Sequence, residues 1–388
     1  MTAHSSLKSV RFKTGLLSWL LLLTPRLMRG DDLFSYKHED YSEAGGRMAI
    51  KTDGALVSQD FGPDTHFLAE GVVDAIAGAT PNGQPAPAGS DQVVLTEMHD
   101  RRKAWNTTLS HQFAGTDVLL NYAHSIESDY LSNGISLNTV TDFNDKNTEL
   151  LAGVAGTDDR VKVFYQNPWV RKQSNDAVLG VTQLLSPRTS VTANLSWDHN
   201  RGYLTDPYKL VQKDVEVAPG VFLPFTYWEN RPDQRTKWIA LLALNHAVPS
   251  LNGALDASYR YSRDTFGTNA HTVEITWIQK IGSSFYLEPG LRGYQQDAAS
   301  FYHYQLDATS INPTGGAPNP QGPFYSSDYR LSELRTYSYE LKAVWNVAAA
   351  VRVDLKIEKY VMRGRDGVTS QSAYPRARII NAGLTFFW

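Results

Sequence analysis

Ile380-Asn381-Ala382-Gly383-Leu384-Thr385-Phe386-Phe387-Trp388 closes the chain. Its alternate residues Ile380, Ala382, Leu384, Phe386 and Trp388 are apolar or aromatic, and side chains two apart share one face of a β-strand. Asn381, Gly383, Thr385 and Phe387 occupy the other face. Domains ordinarily end in a few loose residues, so a strand that runs to a large aromatic reads as a structural stave rather than a tail. Two architectures fit such a stave: an amphipathic strand closing a soluble sandwich, and the last strand of a membrane barrel with its apolar row turned to lipid.

Composition narrows the choice. The chain is 42% hydrophobic, with a mean hydropathy of -0.35, and its one long apolar run covers residues 16–23. A helical span takes about 20 apolar residues, so membrane residence requires closed strand pairing. Lys8, Arg11 and Lys13 ahead of the apolar run predict a secretory signal over residues 1–30, followed by one domain over 31–388. Removing the signal takes away Lys8, Arg11, Lys13, Arg26 and Arg29 and moves the formal charge from -3 to -3 - 5 = -8. With no basic stripe, nucleic acid is excluded as a partner. With no cysteine, disulfides, thiolate metal sites and cysteine nucleophiles are excluded. No cofactor or metal is expected. The terminal strand also resembles the C-terminal signal of bacterial outer-membrane barrels. That resemblance implies an assembly role for Phe386 and Trp388, with outer-membrane lipid and the barrel-assembly machinery as partners.

Alternation predicts strands at 33–43, 47–59, 65–77, 100–113, 116–130, 134–143, 147–156, 176–186, 189–201, 234–247, 251–264, 269–281, 284–297, 332–346, 349–362 and 376–388. These number about sixteen, an even count. Every second connection is tight, among them Gly62-Pro63-Asp64, Ala114-Gly115, Pro187-Arg188 and Gly282-Ser283. The long connections (78–99, 157–175, 202–233, 298–331 and 363–375) all fall in the other set. Short periplasmic turns and long external loops are the pattern of outer-membrane barrels. The expectation is therefore an all-β, transmembrane, antiparallel up-and-down barrel with both termini periplasmic.

Register supplies a further sign. On 349–362 the row Val351, Val353, Leu355 and Ile357 points outward, against Arg352, Asp354, Lys356 and Glu358 inward. Extending this rule to the other strands gives two aromatic belts. Trp197, Trp238, Tyr259, Tyr261, Tyr337 and Tyr339 fall near the external ends. Phe67, Phe113, Trp277, Phe285, Trp345, Phe386 and Trp388 fall near the periplasmic ends. The predicted lumen-lining set comprises Lys51, Asp53, Glu70, Asp74, Arg102, Asp256, Arg260, Glu274, Glu288, Arg292, Glu340, Lys342, Arg352, Asp354, Lys356 and Glu358. Its signs are mixed, which suits a weakly selective polar pore or an interior cross-linked by charge pairs.

Four loop strings stand out: Asp74-Ala75-Ile76-Ala77-Gly78-Ala79-Thr80-Pro81, Asp206-Pro207-Tyr208-Lys209, Asn230-Arg231-Pro232-Asp233-Gln234-Arg235 and Ser326-Ser327-Asp328-Tyr329-Arg330-Leu331-Ser332. With Tyr36-Lys37-His38-Glu39-Asp40-Tyr41 near the start, they resemble a family of bacterial outer-membrane proteins of unknown function, DUF3570. The family has no settled activity. The resemblance implies a genomic setting near periplasmic flavin-attachment enzymes, hence a periplasmic, redox-linked protein as a candidate partner. Asp206, Lys209, Arg231, Asp233, Arg235, Asp328 and Arg330 fall at the external end, either as loop-packing ion pairs or as the lining of a ligand entrance.

Other chemistry is thin. Glu97-Met98-His99-Asp100-Arg101-Arg102 and Tyr36-Lys37-His38-Glu39-Asp40 concentrate titratable groups but match no metal-ligand spacing. Nucleophile elbow, Walker loop, HExxH and dinucleotide fingerprints are absent from the sequence, and no enzymatic activity is expected. Three functions remain. The first is a channel for small polar solutes, the default for a lumen of this strand number. The second is a closed barrel that docks a periplasmic partner. The third is a barrel hydrolase, recognisable by a Ser/His or Asp/His pair within hydrogen-bond reach.

Overall fold

The computed structural model describes residues 32–163, 165 and 169–388. The segment read as a secretory signal, 1–30, lies outside the described residues. Among the described residues eighteen strands follow one another: β1 Leu33–Glu43, β2 Met48–Phe61, β3 Thr65–Pro81, β4 Leu95–Phe113, β5 Thr116–Ile126, β6 Tyr130–Phe143, β7 Thr148–Val161, β8 Val170–Ser186, β9 Thr189–Gly202, β10 Leu210–Ala218, β11 Val221–Trp228, β12 Gln234–Val248, β13 Gly253–Asp264, β14 Asn269–Ile281, β15 Phe285–Gln296, β16 Leu334–Ala348, β17 Val351–Gly364 and β18 Arg376–Phe387. Sixteen of them form one closed antiparallel barrel. β1 pairs β18 to complete the ring, and β10–β11 stand apart as a two-stranded sheet between β9 and β12.

Connections at one end run two to four residues, and those at the other reach the 37 residues of 297–333. The tight turns require left-handed backbone, which Ala114 and Gly115 adopt at φ 45 and 88 and Asn144, Asp145 and Lys146 at φ 52, 52 and 67. Asn, Asp and Gly enter that region most cheaply. These turns fix the stagger of the strands, and the stagger fixes which side chains face in.

The apolar faces point outward. Leu179 and Leu195 are 63% and 51% exposed, as are Trp238 (52%), Leu341 (49%) and Ile357 (51%). Only lipid can cover a continuous apolar outer surface of this extent on a closed barrel. The fold is a transmembrane barrel. Both predicted aromatic belts lie on the outer rows, with Tyr339 at 55% exposure at the loop end and Trp345 and Trp388 at 52% and 63% at the turn end.

Two readings need correction. β10 and β11 lie within the connection 202–233, expected as a long external loop; they form a hairpin whose Val211 is completely buried among other loops. Lys51 and Asp53 were expected to line the lumen but lie on the exposed row of β2. Pairing decides this: Thr52 opposes both Glu39 and inward-facing Asp74, so its neighbours Lys51 and Asp53 must face out. Asp53 is satisfied there by the Tyr36 hydroxyl at 2.6 Å and His38 at 2.8 Å. A polar outer row at the end of a strand, near the headgroups, breaks the rule that charge marks the inside.

Candidate functional site: a charged inner wall beneath a folded cap

On the inward rows, charges of opposite sign meet across neighbouring strands, directly opposite or on the diagonal. Asp74 and Arg102 oppose each other in the β3–β4 register and meet at 2.5 Å, each side chain 5% exposed. Glu288 and Lys342 pair at 3.3 Å across β15–β16, and Lys356 reaches Glu358 at 3.3 Å and Glu340 at 3.6 Å. Arg292 contacts Glu274 at 2.8 Å. Glu70 accepts from the Asn106 amide at 2.9 Å. Arg352 donates to Asn346 at 2.9 Å and lies 4.9 Å from the Phe387 ring. Asp354 is buried against Gly383, where a β-carbon would collide with its carboxylate. Asp256 and Arg260 occupy the inner row of β13 opposite Asn245 and Leu241.

The same wall holds charged residues that the sequence reading missed. Lys37 and Glu39 sit on the inner row of β1, and Lys172 lies 3.8 Å from Asp159. Asp176 opposes Asp198 across β8–β9. Arg235, expected in the loop-end set, is the second residue of β12 and pairs with Asp264 on the inner wall. Strand register would reveal all of these from sequence, but only once each strand's inward parity is known.

Above this wall the loops fold into a cap with its own apolar cores. Phe266, Ala299, Phe301 and Leu331 form one cluster. A second joins Val211, Leu306 and Tyr325, and a third Val93, Leu334, Ala373 and Tyr374. Loops after β3, β9, β13, β15 and β17 therefore pack on one another.

Five of the seven predicted loop-end residues converge in this cap around a sixth, Glu229. Asp328, 1% exposed, accepts from Arg330 Nε at 2.8 Å and Nη2 at 2.6 Å and from Arg231 Nη2 at 2.8 Å. Arg330 reaches on to Asp206 at 2.6 Å. Glu229 accepts from Arg231 at 3.0 Å, from the Asp206 backbone at 2.6 Å and from the Ser326 hydroxyl. Lys209 donates to the Pro81 carbonyl and sits 5.9 Å from the Tyr329 ring. Asp233 stays outside, exposed, with its carbonyl accepting from the Gly202 amide at 2.8 Å. Glu229 borders the string 230–235 and carries no separate sequence signal.

Three cations and three carboxylates thus balance within the cap. Burial pushes the Asp328 carboxyl up, but Arg330, Arg231 and Lys209 outweigh it and hold the group far below the usual carboxylate range. Asp206 is likewise lowered: burial opposes ionisation, and Arg330 and Lys209 overcome it. For Glu229 burial wins over Arg231 and its carboxyl is raised.

Two further clusters appear. At the turn end Asp60 opposes His66 across β2–β3, and the ring Nδ1 meets Asp60 Oδ1 at 2.5 Å. With the proton on Nδ1, Nε2 accepts from the Ser58 hydroxyl at 3.3 Å. The Ser/His/Asp arrangement sought for a hydrolase is therefore present, with Ser58 and His66 only 6% and 4% exposed. At the loop end Asp100 stands with Glu127 and Asp129, their carboxylate oxygens within 4.8 Å of one another. Tyr208 donates to Asp129 at 2.5 Å.

No functionally curated protein has a matching sequence. Among solved structures, a bacterial polysaccharide outer membrane secretin is 11% identical with a TM-score of 0.48, covering 92% of this chain and 98% of its own. OmpT of Vibrio cholerae, in its in-vitro folded trimer form, is 8% identical with a TM-score of 0.46, covering 92% and 99%. The CymD monoaromatic hydrocarbon channel is 9% identical with a TM-score of 0.42, covering 93% and 89%. The profile of one family, described as a protein of unknown function, matches residues 24–173 and 165–377. With nearly all of the barrel and every cap string inside those two matches, the chain belongs to the DUF3570 family.

Proposed function

We propose that this chain is a bacterial outer-membrane channel for small polar solutes, restricted at its loop end by the folded cap. The observation that carries the reading is the inner wall of paired opposite charges in a ring of sixteen strands, a size that leaves an aqueous path in porins. Opposed signs around the wall favour weak ion selectivity over a single-sign filter. In this reading the tight turns and both termini are periplasmic, and Phe386 and Trp388 are read by the assembly machinery. The cap faces outward and sets the narrowest part of the path.

Planar-bilayer conductance of the full chain, and of a variant with residues 303–324 replaced by a short Gly/Ser link, tests this. Small conductance that rises in the shortened variant is the expected result. A heat-modifiable, correctly folded barrel that stays silent in both forms would overturn it in favour of a closed shell that docks a periplasmic protein.

The Ser58–His66–Asp60 relay favours a second reading, an acyl hydrolase at the turn end. Ser58 Oγ would attack an ester carbonyl as His66 takes its proton and returns it to the leaving alcohol, and water would then release the acyl group. A fluorophosphonate probe should label wild type and not Ser58→Ala. Absence of label in the folded wild type removes this reading.

A further inference from the structure

We propose that the outer face of β16–β18 at the loop end binds the phosphates of a lipid headgroup. Arg335 of β16, Lys359 and Arg363 of β17, and Arg376 and Arg378 of β18 all lie on outward rows. Register sets Arg335 directly opposite Arg363 and Lys359 directly opposite Arg378. Like charges facing each other across a ladder destabilise it. Among the described residues none of the five side chains makes a hydrogen bond or ion pair with the protein. The carboxylates nearest in register are Glu333, two residues before Arg335, and Asp40, opposite Ile380 and Lys51, and neither forms an ion pair with the five. Elsewhere on the same outer rim the facing cations Arg160 and Arg171 have a carboxylate beside them, Asp158 at 2.5 Å from Arg171, whereas neither facing pair of this wall makes such an ion pair.

Depth identifies the occupant. Below the cations the outer rows turn apolar, with Ile380, Ala382, Leu384 and Phe386 on β18 and Val353, Leu355 and Ile357 on β17. From Arg378 to Trp388 is about 34 Å along the strand, or about 26 Å along the normal at a tilt of about 40°, which matches the roughly 25 Å apolar band of such barrels. The cations therefore begin where acyl chains end and headgroups start. Two guanidinium or ammonium groups facing one another are satisfied by a phosphate between them, which Arg engages through parallel N–H donors. The two opposed pairs lie four residues apart on β17, about 14 Å, so the surface fits a headgroup carrying two phosphates, its acyl chains lying along Leu341 and Ile357. The inference rests on the barrel spanning a membrane and is independent of whether it conducts.

The test compares wild type with the Arg335→Gln/Lys359→Gln/Arg363→Gln/Arg378→Gln variant, both folded in neutral detergent. The readout is the temperature at which the folded band is lost. In detergent alone the variant should equal or exceed wild type, because repulsion has been removed. Diphosphoryl lipid A should raise the wild-type temperature by several degrees and leave the variant unmoved, so that the order of stability inverts. Dephosphorylated lipid A or inorganic phosphate at the same concentration should give no shift. Equal shifts in both proteins, an equal shift with the dephosphorylated lipid, or an equal shift with inorganic phosphate would each overturn the proposal. If the variant fails to fold, wild type with the three probes decides alone.

Discussion

Asp328→Asn should loosen the cap without disturbing the barrel. The native carboxylate is 1% exposed and takes hydrogen bonds from two arginines and from the Arg330 backbone amide at 3.1 Å. Asparagine keeps the shape and removes the charge, leaving Arg231 and Arg330 with only Glu229 and Asp206 to balance them. Removing one member of a buried ion pair destabilises by about 3–5 kcal/mol. At about 1.4 kcal/mol per tenfold change, cap opening becomes more frequent by roughly 10² to 4 × 10³. Limited proteolysis within 303–324 reads this directly when reclosing is faster than cleavage. The barrel staves, paired strand to strand, should stay intact, and the temperature of band loss should hardly change. A cleavage rate within about threefold of wild type would refute the claim that the charge network, rather than the apolar clusters, holds the cap shut.

Asp206 and Asp328 have lowered folded-state pKa values. Their contribution is complete above the unfolded value of about 3.9 and is lost only as pH falls through the lowered folded value. Asp206 and Asp328 should therefore add no pH dependence to cleavage within 303–324 from pH 8 to pH 5. Glu229, whose value is raised, slows cleavage on acidification, whereas burial lowers His303, which speeds it; in a His303→Gln background a rise between pH 6 and pH 5 would contradict the assignment. Gly83, at φ 97, has no room for a β-carbon against the Leu210 carbonyl and the Ser327 hydroxyl. Gly83→Ala should destabilise the cap by about 1–3 kcal/mol, seen as faster cleavage, and unchanged cleavage would argue against close packing of the two loops. Trp388→Ala removes an outward aromatic at the turn end and should slow assembly into membranes while leaving detergent refolding largely intact; equal loss in both assays would indicate a fold defect instead.

All sixteen barrel strands were legible as alternating segments, and β1 and β14 run over the very ranges expected. Several strand ends at the loop side were read short, as at β4, which begins at Leu95 rather than 100, while β5 stops at Ile126, short of the expected 130. There the strands rise above the apolar band, and both rows become polar, so alternation disappears although pairing continues. The same loss of contrast misplaced Lys51 and Asp53 and hid Lys37, Glu39, Lys172 and Asp176. The β10–β11 hairpin escaped notice because it contributes no row to the barrel: Val211 packs into the cap, while Val221, Phe222, Leu223 and Phe225 are exposed.

The sequence by itself determined the closed barrel, because a period of two with apolar rows outward leaves a chain without long apolar helices one way to satisfy its backbone in lipid. It also marked the loop strings that carry Asp206, Arg231, Asp328 and Arg330. Only the tertiary structure decided that these residues, as many as 124 positions apart, meet with Glu229 in one buried network. Such a meeting depends on the lengths and paths of several loops at once, which no local pattern encodes. The facing cations of β16–β18 are likewise a property of register between strands, fixed by the turns and by ring closure rather than by any one stretch of chain.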